Sequence, residues 1–522
     1  MIANKILHFF LRKESFSYVF LIVFFVGISK LLLREAASFG CFDDCFNYGA
    51  GYFILKGKSL YSEIFFNHQM LMAYISALVQ FIFSPRTIFE LLLAHRYVLI
   101  VFGFIMNVFL LWRFGKIALV FTVIYESTKY YFFGDRFLAE GFIVYPLVYM
   151  VGATLYKIEG KKIFFFEPTL FAFFAWFVIF MREPFTLLAL VLLFFFIFQK
   201  KIGGRQVVPL TVFILLSIVA VGTTPIKEYI FNIFTANATT IIAGEAKEHG
   251  NLLVWLFKIF LYPLYIFISG EWNSMKMLLA SLSLALIIVF TVFLYKKHYK
   301  IIFIAILLLG LANIRVVTPG STFYAAFHML PWYGMFIFLT LLLMEWSSSL
   351  KFDTRVPKIL FVIIFIALFN IFIFKSSYLD KRSDRSVEFV TNYGSILSNG
   401  EVIKLLANKN STLFLDGWDE LLYFQTQLTS TYKYSWYTSI MPRFNKYQDE
   451  RVAMFEKSPP DFYYGGCRSG VGFYLPEFLS KKYTQFYFAG NPTCLYIKNE
   501  TLALIPKEKL NKINQYEFYI LK

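Results

Sequence analysis

Residues 39–68 read FGCFDDCFNYGAGYFILKGKSLYSEIFFNH. Two adjacent carboxylates, Asp43 and Asp44, stand just beyond an apolar run that begins near Phe16. Ionisable side chains next to lipid-compatible sequence are costly, so the pair needs a reason. One reason is local: acids stabilise the N-terminus of a helix. The other is chemical: a general base with a neighbouring acid, held at a membrane surface. The rest of the chain supplies the setting for that choice.

The chain has 522 residues, 58% hydrophobic, with 67 Phe and 34 Tyr and only 16% charged. Its mean hydropathy is +0.61. This much apolar surface cannot be hidden in a water-soluble core, so a soluble enzyme, a disordered chain and a fibrous protein are excluded and lipid is the implied solvent. The net charge of +17 would suggest nucleic acid in a soluble protein. No nucleic-acid motif is present, and in a membrane protein Lys and Arg collect in short cytoplasmic loops.

Apolar runs long enough to cross a bilayer begin near Phe16, Glu90, Lys116, Phe137, Phe164, Pro184, Gln206, Met275, Ile301, Phe323 and Lys358. The first has no small-residue cleavage site after it and reads as a retained span. Six basic clusters, holding 17 Lys and Arg, fall on one side if the N-terminus is cytoplasmic and there are eleven spans. The stretches His68–Ser84 and Leu252–Ser269 then lie on the outer surface rather than crossing. Thirteen spans is the alternative, with the same exterior C-terminus. The sequence therefore predicts an α-helical polytopic membrane domain over residues 1–374, with a first outer loop at 35–89. Residues 375–522 are polar and Tyr-rich and predict a small extracytoplasmic α/β domain, with strands near Ser411–Leu415, Phe462–Tyr464, Gln485–Phe488 and Thr493–Ile497 and helices at Glu401–Ala407 and Trp418–Gln425.

The loop at 39–68 resembles the first outer loop of the GT-C superfamily of polytopic glycosyltransferases. It is most similar to family-39-like members such as protein O-mannosyltransferases and the aminoarabinose transferase of lipid A. In these an acidic pair follows the first span, then a surface helix, then Gly-x-x-x-Tyr, then a second surface helix. Gly57-Lys58-Ser59-Leu60-Tyr61 fits the third step, and His68-Gln69-Met70 replaces the usual basic-Pro-Pro. His95-Arg96, Asp135-Arg136 with Glu140, and Arg182-Glu183-Pro184 stand where the family places charged residues on outer edges. Asp416-Gly417-Trp418-Asp419 and Pro459-Pro460-Asp461 look like the outer domain of bacterial members.

The resemblance implies an inverting transfer of a sugar from a polyprenyl-phosphate carrier to a hydroxyl on a glycan, lipid or protein, at the outer face of a multi-pass membrane protein (the cytoplasmic membrane in a bacterium). Asp43 is the expected base, because its spacing to Gly57 matches the family, with Asp44 as fallback. A carboxylate accepts the acceptor's proton as the bond forms rather than beforehand. The leaving phosphate needs fixed cations. Arg182, Arg315, His328 and Lys58 are the candidates, with Tyr61, His68, Arg96, Asp135, Arg136 and Glu140 as further substrate-binding residues. The bland readings stand beside these: Arg96, Arg136 and Arg182 as snorkelling anchors, and Glu183 as a partner for Arg182. No obligatory cofactor is implied. No ligand spacing points to a metal, although a divalent ion remains compatible. A transporter or flippase of lipid-linked glycans, and a glycan polymerase or ligase, stay open as alternatives.

Four cysteines are too few for a disulfide scaffold. A Cys41–Cys45 bond at helical spacing asks Cβ atoms about 5–6 Å apart to approach to about 3.8 Å, so these two read as small apolar residues. A Cys467–Cys494 bond is left open. Tyr432, Tyr434, Tyr437, Tyr463 and Tyr464 either stack on sugar rings or pack the outer domain.

Overall fold

A computed structural model describes residues 13–34, 36, 40, 43–198, 207–238, 252–268, 272–314, 327–349, 355–374, 385–416, 421–434, 444–465 and 481–520. Among these, six helices are long and apolar enough to cross a bilayer: Phe16–Arg34, Ile88–Phe114, Ala139–Ile158, Ser274–Tyr295, Phe327–Ser348 and Arg355–Phe372. That is the make-up of a multi-pass membrane protein. The other five runs also head helices, but shorter ones. Lys116–Thr128, Glu167–Met181 and Tyr299–Asn313 have 13 to 15 residues. At 1.5 Å per residue these reach about 20 Å, against about 30 Å of hydrocarbon. The stretch from Pro184 gives a short apolar helix, and the stretch from Gln206 is interrupted after Gly222.

The surface stretches are short too. Leu252–Phe260 and Tyr262–Ile268 are separate helices, the second with Pro263 at its second residue. Met70–Phe83 has 14 residues. Its Met72, Ala73, Ser76, Ala77, Val79 and Gln80 are buried, while Tyr74, Leu78, Phe81 and Ile82 are exposed, so the helix carries a second, outward apolar stripe.

The chain gathers into two compact units. The first takes Met1–Glu35, Arg96–Ala220 and Ala246–Arg382. Its centre is a pair of helices whose spanning windows are 89% (Ala139–Ile158) and 94% (Phe327–Ser348) buried, against 22% for Phe16–Arg34. Small residues let backbones meet there. A Cβ on Gly152 would lie 2.5 Å from the Phe114 ring, and one on Gly334 would lie 2.5 Å from Val144 Cγ1.

The second unit takes Ala36–His95, Val221–Glu245 and Ser383–Lys522. Its segments are drawn together by an aromatic core rather than by chain order. The Phe53 ring meets Tyr423 at 5.1 Å, Tyr52 meets Phe424 at 6.0 Å, Tyr61 meets Tyr229 at 5.4 Å and Phe65 meets Tyr447 at 5.4 Å. The sheet has five strands: β1 Leu413–Asp416, β2 Phe462–Gly465, β3 Tyr483–Phe488, β4 Asn491–Lys498 and β5 Phe518–Ile520. Their order is β1-β2-β4-β3-β5. β1 and β2 run parallel, and the remaining pairs are antiparallel. Four of these strands stand where alternation and β-branched or aromatic content predict them, while β5 escaped notice. Tyr432, Tyr434, Tyr463 and Tyr464 are all buried, so they pack this core; Tyr437 lies outside the described residues.

Candidate functional site

In the second unit the acidic pair opens the helix Asp43–Leu55. Both carboxylates sit in its first turn, where unpaired N–H groups favour negative charge. Asp43 is half-buried and Asp44 fully buried. Asp44 Oδ2 accepts from the Tyr48 hydroxyl at 3.3 Å, one turn on, and Oδ1 accepts from the Cys45 amide at 3.1 Å.

A buried relay backs this helix. The Tyr48 ring lies 4.3 Å from the His95 ring. His95 Nδ1 meets the Leu91 carbonyl at 2.8 Å. A carbonyl only accepts, so Nδ1 carries a proton, and Nε2 meets Ser76 Oγ at 2.8 Å. Gln80 Nε2 donates to Ser76 Oγ at 3.2 Å and to the Tyr48 carbonyl at 2.9 Å. Gly51 makes the approach of the two helices feasible: a Cβ there would lie 2.7 Å from the Ala77 nitrogen.

The Gly-x-x-x-Tyr step has a local cause. Gly57 has φ +86° and ends the first helix, with Gly57 N–H donating to Ile54 O and Lys58 N–H to Phe53 O, both at 3.0 Å. This is a Schellman turn, which needs a left-handed residue at Gly57. Tyr61 also has a positive φ, 69°, is fully buried, and donates its hydroxyl to the His68 carbonyl at 2.9 Å. His68 is half-buried with its ring 5.6 Å from Phe66. Lys58 Nζ donates to the carbonyls of Tyr432 and Lys433 at 3.1 and 3.0 Å. Burial pulls its pKa down to about 8, against the raising effect of Glu63.

In the first unit the structure brings together three residues named from sequence alone. Glu140 Oε1 accepts from Arg182 Nε at 2.8 Å and meets His328 Nδ1 at 2.8 Å. Glu140 opens the Ala139–Ile158 helix, Arg182 caps the end of Glu167–Met181, and His328 opens the Phe327–Ser348 span. All three are buried. A carboxylate accepts only, so His328 carries its proton on Nδ1. Arg182 thus pairs with Glu140 rather than with Glu183, whose Oε2 has no hydrogen-bond partner. Arg96 pairs with Asp135 at 2.6 Å, with both side chains under 5% exposed. Arg136 is buried, its guanidinium 5.9 Å from the Phe133 ring. The three arginines are interior groups, and the snorkelling reading is set aside for them. Arg315 lies outside the described residues.

Two further ionic clusters in this unit went unread in the sequence. Glu126 and Lys129 pair at 2.6 Å with both side chains at most 1% exposed. Glu126 Oε1 also accepts from the Tyr145 hydroxyl at 2.7 Å and from Asn107 Nδ2 at 2.8 Å, and Thr122 donates to Asn107 Oδ1 at 2.7 Å. Arg113 Nε donates to Glu167 Oε1 at 2.6 Å, which also accepts from the Tyr149 hydroxyl at 3.0 Å. Opposite charges three residues apart inside an apolar run were a readable signal for the first. Nothing local pairs residues 113 and 167.

Among the described residues no group of three or more His, Cys, Asp or Glu is placed to hold a metal ion. Cys45 and Cys494 are each engaged in a disulfide, which corrects the reading of Cys45 as a plain apolar residue. Cys41 and Cys467 lie outside the described residues. No family model, curated protein or solved structure matches the chain.

Proposed function

We propose that the protein is an inverting glycosyltransferase that moves a sugar from a polyprenyl-phosphate carrier to a hydroxyl acceptor on the outer side of a membrane. In this reading the N-terminus is cytoplasmic and the C-terminal region extracytoplasmic. The observation that carries the reading is the joining of Glu140, Arg182 and His328, 42 and 188 positions apart in sequence, into one buried ionic cluster. Buried, hydrogen-bonded charge between spanning helices is expensive and is generally retained for function.

The roles follow from charge development. The leaving phosphate gains negative charge, and Arg182 with His328, both bonded to Glu140 Oε1, offsets it. Asp43 keeps the role of base on its spacing to Gly57 alone: a base there takes the acceptor's proton as the new glycosidic bond forms, and attack opposite the phosphate inverts the anomeric carbon. Asp44, tied to Tyr48, orients the turn that presents Asp43.

The test is release of polyprenyl phosphate from a panel of polyprenyl-phosphate sugars by the purified protein in lipid nanodiscs. Turnover of one panel member that Arg182→Gln lowers by at least about 10²-fold supports the reading, on the scale of losing one electrostatic stabiliser. Absence of turnover, with movement of a lipid-linked glycan across proteoliposomes, replaces it with the transporter reading. The buried Glu126–Lys129 and Arg113–Glu167 pairs favour that second reading, because charges spread along the spans are what a path across both leaflets requires.

A further inference from the structure

The sheet of the second unit has one face built largely of tyrosine. Register places Tyr463 of β2 beside Tyr496 of β4, Tyr496 beside Gln485 of β3, and Tyr487 of β3 beside Tyr519 of β5. Side chains alternate across a strand, so these residues share one side. Their neighbours Phe462, Phe486, Ile497 and Phe518 take the other side and are buried. The tyrosine face runs from closed to open. Tyr463 is buried, its ring 5.9 Å from Tyr496 and 6.0 Å from Phe455 of the helix Asn445–Lys457. Tyr496, Tyr487 and Tyr519 are half-buried. The rings of Tyr487 and Tyr519 are near parallel, 21° apart, with centroids at 5.6 Å. The pairing of β3 with β4 slips between Gln485 and Tyr487, the kind of irregularity that re-aims a side chain. The Gln485 amide bridges the slip: Nε2 donates to the Thr493 carbonyl at 2.7 Å and to the Tyr496 hydroxyl at 2.9 Å. Tyr496 is thereby held in place, with its own hydroxyl proton directed away from Gln485.

An antiparallel sheet that shows one face to water carries polar residues there. Here the corresponding positions carry rings, the side chains enriched at recognition surfaces. The open strip of Gln485, Tyr487, Tyr496 and Tyr519 holds no charge. Lys498, in register with Tyr483 at the end of the face, is paired with Glu500 at 2.5 Å. A nucleic acid also offers flat rings, but it needs cations along its phosphates, and a charged peptide needs a counter-charge. A sugar ring needs neither. It presents C–H groups on its flat sides and hydroxyls at its rim. The near-parallel rings suit the first, and phenol hydroxyls, which both donate and accept, suit the second. A flat strip of this kind binds without a cavity. We propose that Tyr487, Tyr519 and Tyr496 form a platform on the sheet that binds a neutral glycan chain lying along the face. Binding stands on this surface and not on the catalytic assignment; in the transferase reading, the glycan held there is the acceptor.

Saturation-transfer NMR on the full chain in nanodiscs tests it. The probes are neutral hexasaccharides of glucan, mannan and chitin type, with empty nanodiscs as background. A proline decapeptide is the control, because proline-rich segments also dock on aromatic surfaces. The expected result is binding of at least one hexasaccharide, with saturation strongest at ring C–H protons. Affinity should fall about tenfold in Tyr487→Ala and in Tyr519→Ala, the scale of one lost stacking ring. Tyr487→Phe keeps the ring and is expected to weaken binding less than Tyr487→Ala. If an alanine variant does not fold, Tyr519→Leu keeps bulk without the ring, and the same loss is expected of it. Binding of no hexasaccharide, binding unchanged in the folded variants that lack a ring, or binding of the decapeptide alone overturns the platform. A chain that binds hexasaccharide but turns over no polyprenyl-phosphate sugar keeps the platform and loses the transferase reading.

Discussion

Removing charge from Glu140 tests the buried cluster on which the functional reading leans. Glu140 and Arg182 meet at 2.8 Å with their side chains 2% and 5% exposed. Unit charges at that distance attract by about 6 kcal/mol at an effective dielectric of about 20, and desolvation cancels much of this. The loss on deleting one partner is set by the charge left behind, about 3–5 kcal/mol for a buried pair. Glu140→Gln removes the carboxylate charge from both Arg182 and His328 at once. Arg182→Gln leaves Glu140 still bonded to His328 Nδ1. Glu140→Gln is therefore expected to cost more than Arg182→Gln, and the double variant less than the sum of the two, with a coupling of about 2–3 kcal/mol. Equilibrium unfolding in mixed micelles of the wild type, both single variants and the double variant measures this. Single losses below about 1 kcal/mol that simply add would place the pair in the class of solvent-exposed ion pairs and refute the reasoning.

Gly51→Ala puts a Cβ 2.7 Å from the Ala77 backbone nitrogen, where no flexible side-chain end can yield. A loss of about 1–3 kcal/mol is expected from parting the helices Asp43–Leu55 and Met70–Phe83, read as a lower melting temperature; an unchanged one rejects the close approach. Lys58 loses its proton near pH 8 when folded, against the usual 10.5. Between those values the unfolded chain binds the proton that the folded chain has given up, so stability rises with pH across that window. Melting temperatures of wild type and Lys58→Met measured from pH 8 to 10.5 should differ in slope, the wild type rising more; parallel curves contradict the burial of Lys58.

How far the sequence could be read depended on whether a signal was local. Apolar runs located helices close to the expected starts among the described residues, because hydropathy is a property of each segment; Gln206 and Phe323 themselves lie outside those residues. Helix length was less visible: Lys116–Thr128 gives way to the turn Lys129–Phe132 at the polar stretch Glu126-Ser127-Thr128-Lys129, which a reading by apolar runs passes over. Gly57 was legible as a turn residue, and its helix-ending φ supplies the mechanism. Glu140, Arg182 and His328 were each suspect as charges near lipid, but their meeting on one carboxylate oxygen depends on tertiary packing. Arg113 with Glu167, and Asp416 with Arg451, were hidden for the same reason, since 54 and 35 residues separate the partners. The strands β1 to β4 were found from aromatic and β-branched content, whereas β5 is three residues long and gives no alternation to read.

The assignment of Asp43 and of the reaction meets its most direct test in one measurement: the rate and anomeric outcome of sugar transfer from a polyprenyl-phosphate donor, wild type against Asp43→Asn. The account expects an inverted product from the wild type and a rate lower by about 10²–10⁴-fold in the variant, the usual reach of a positioned base. A retained configuration, or a variant as fast as the wild type, would contradict it.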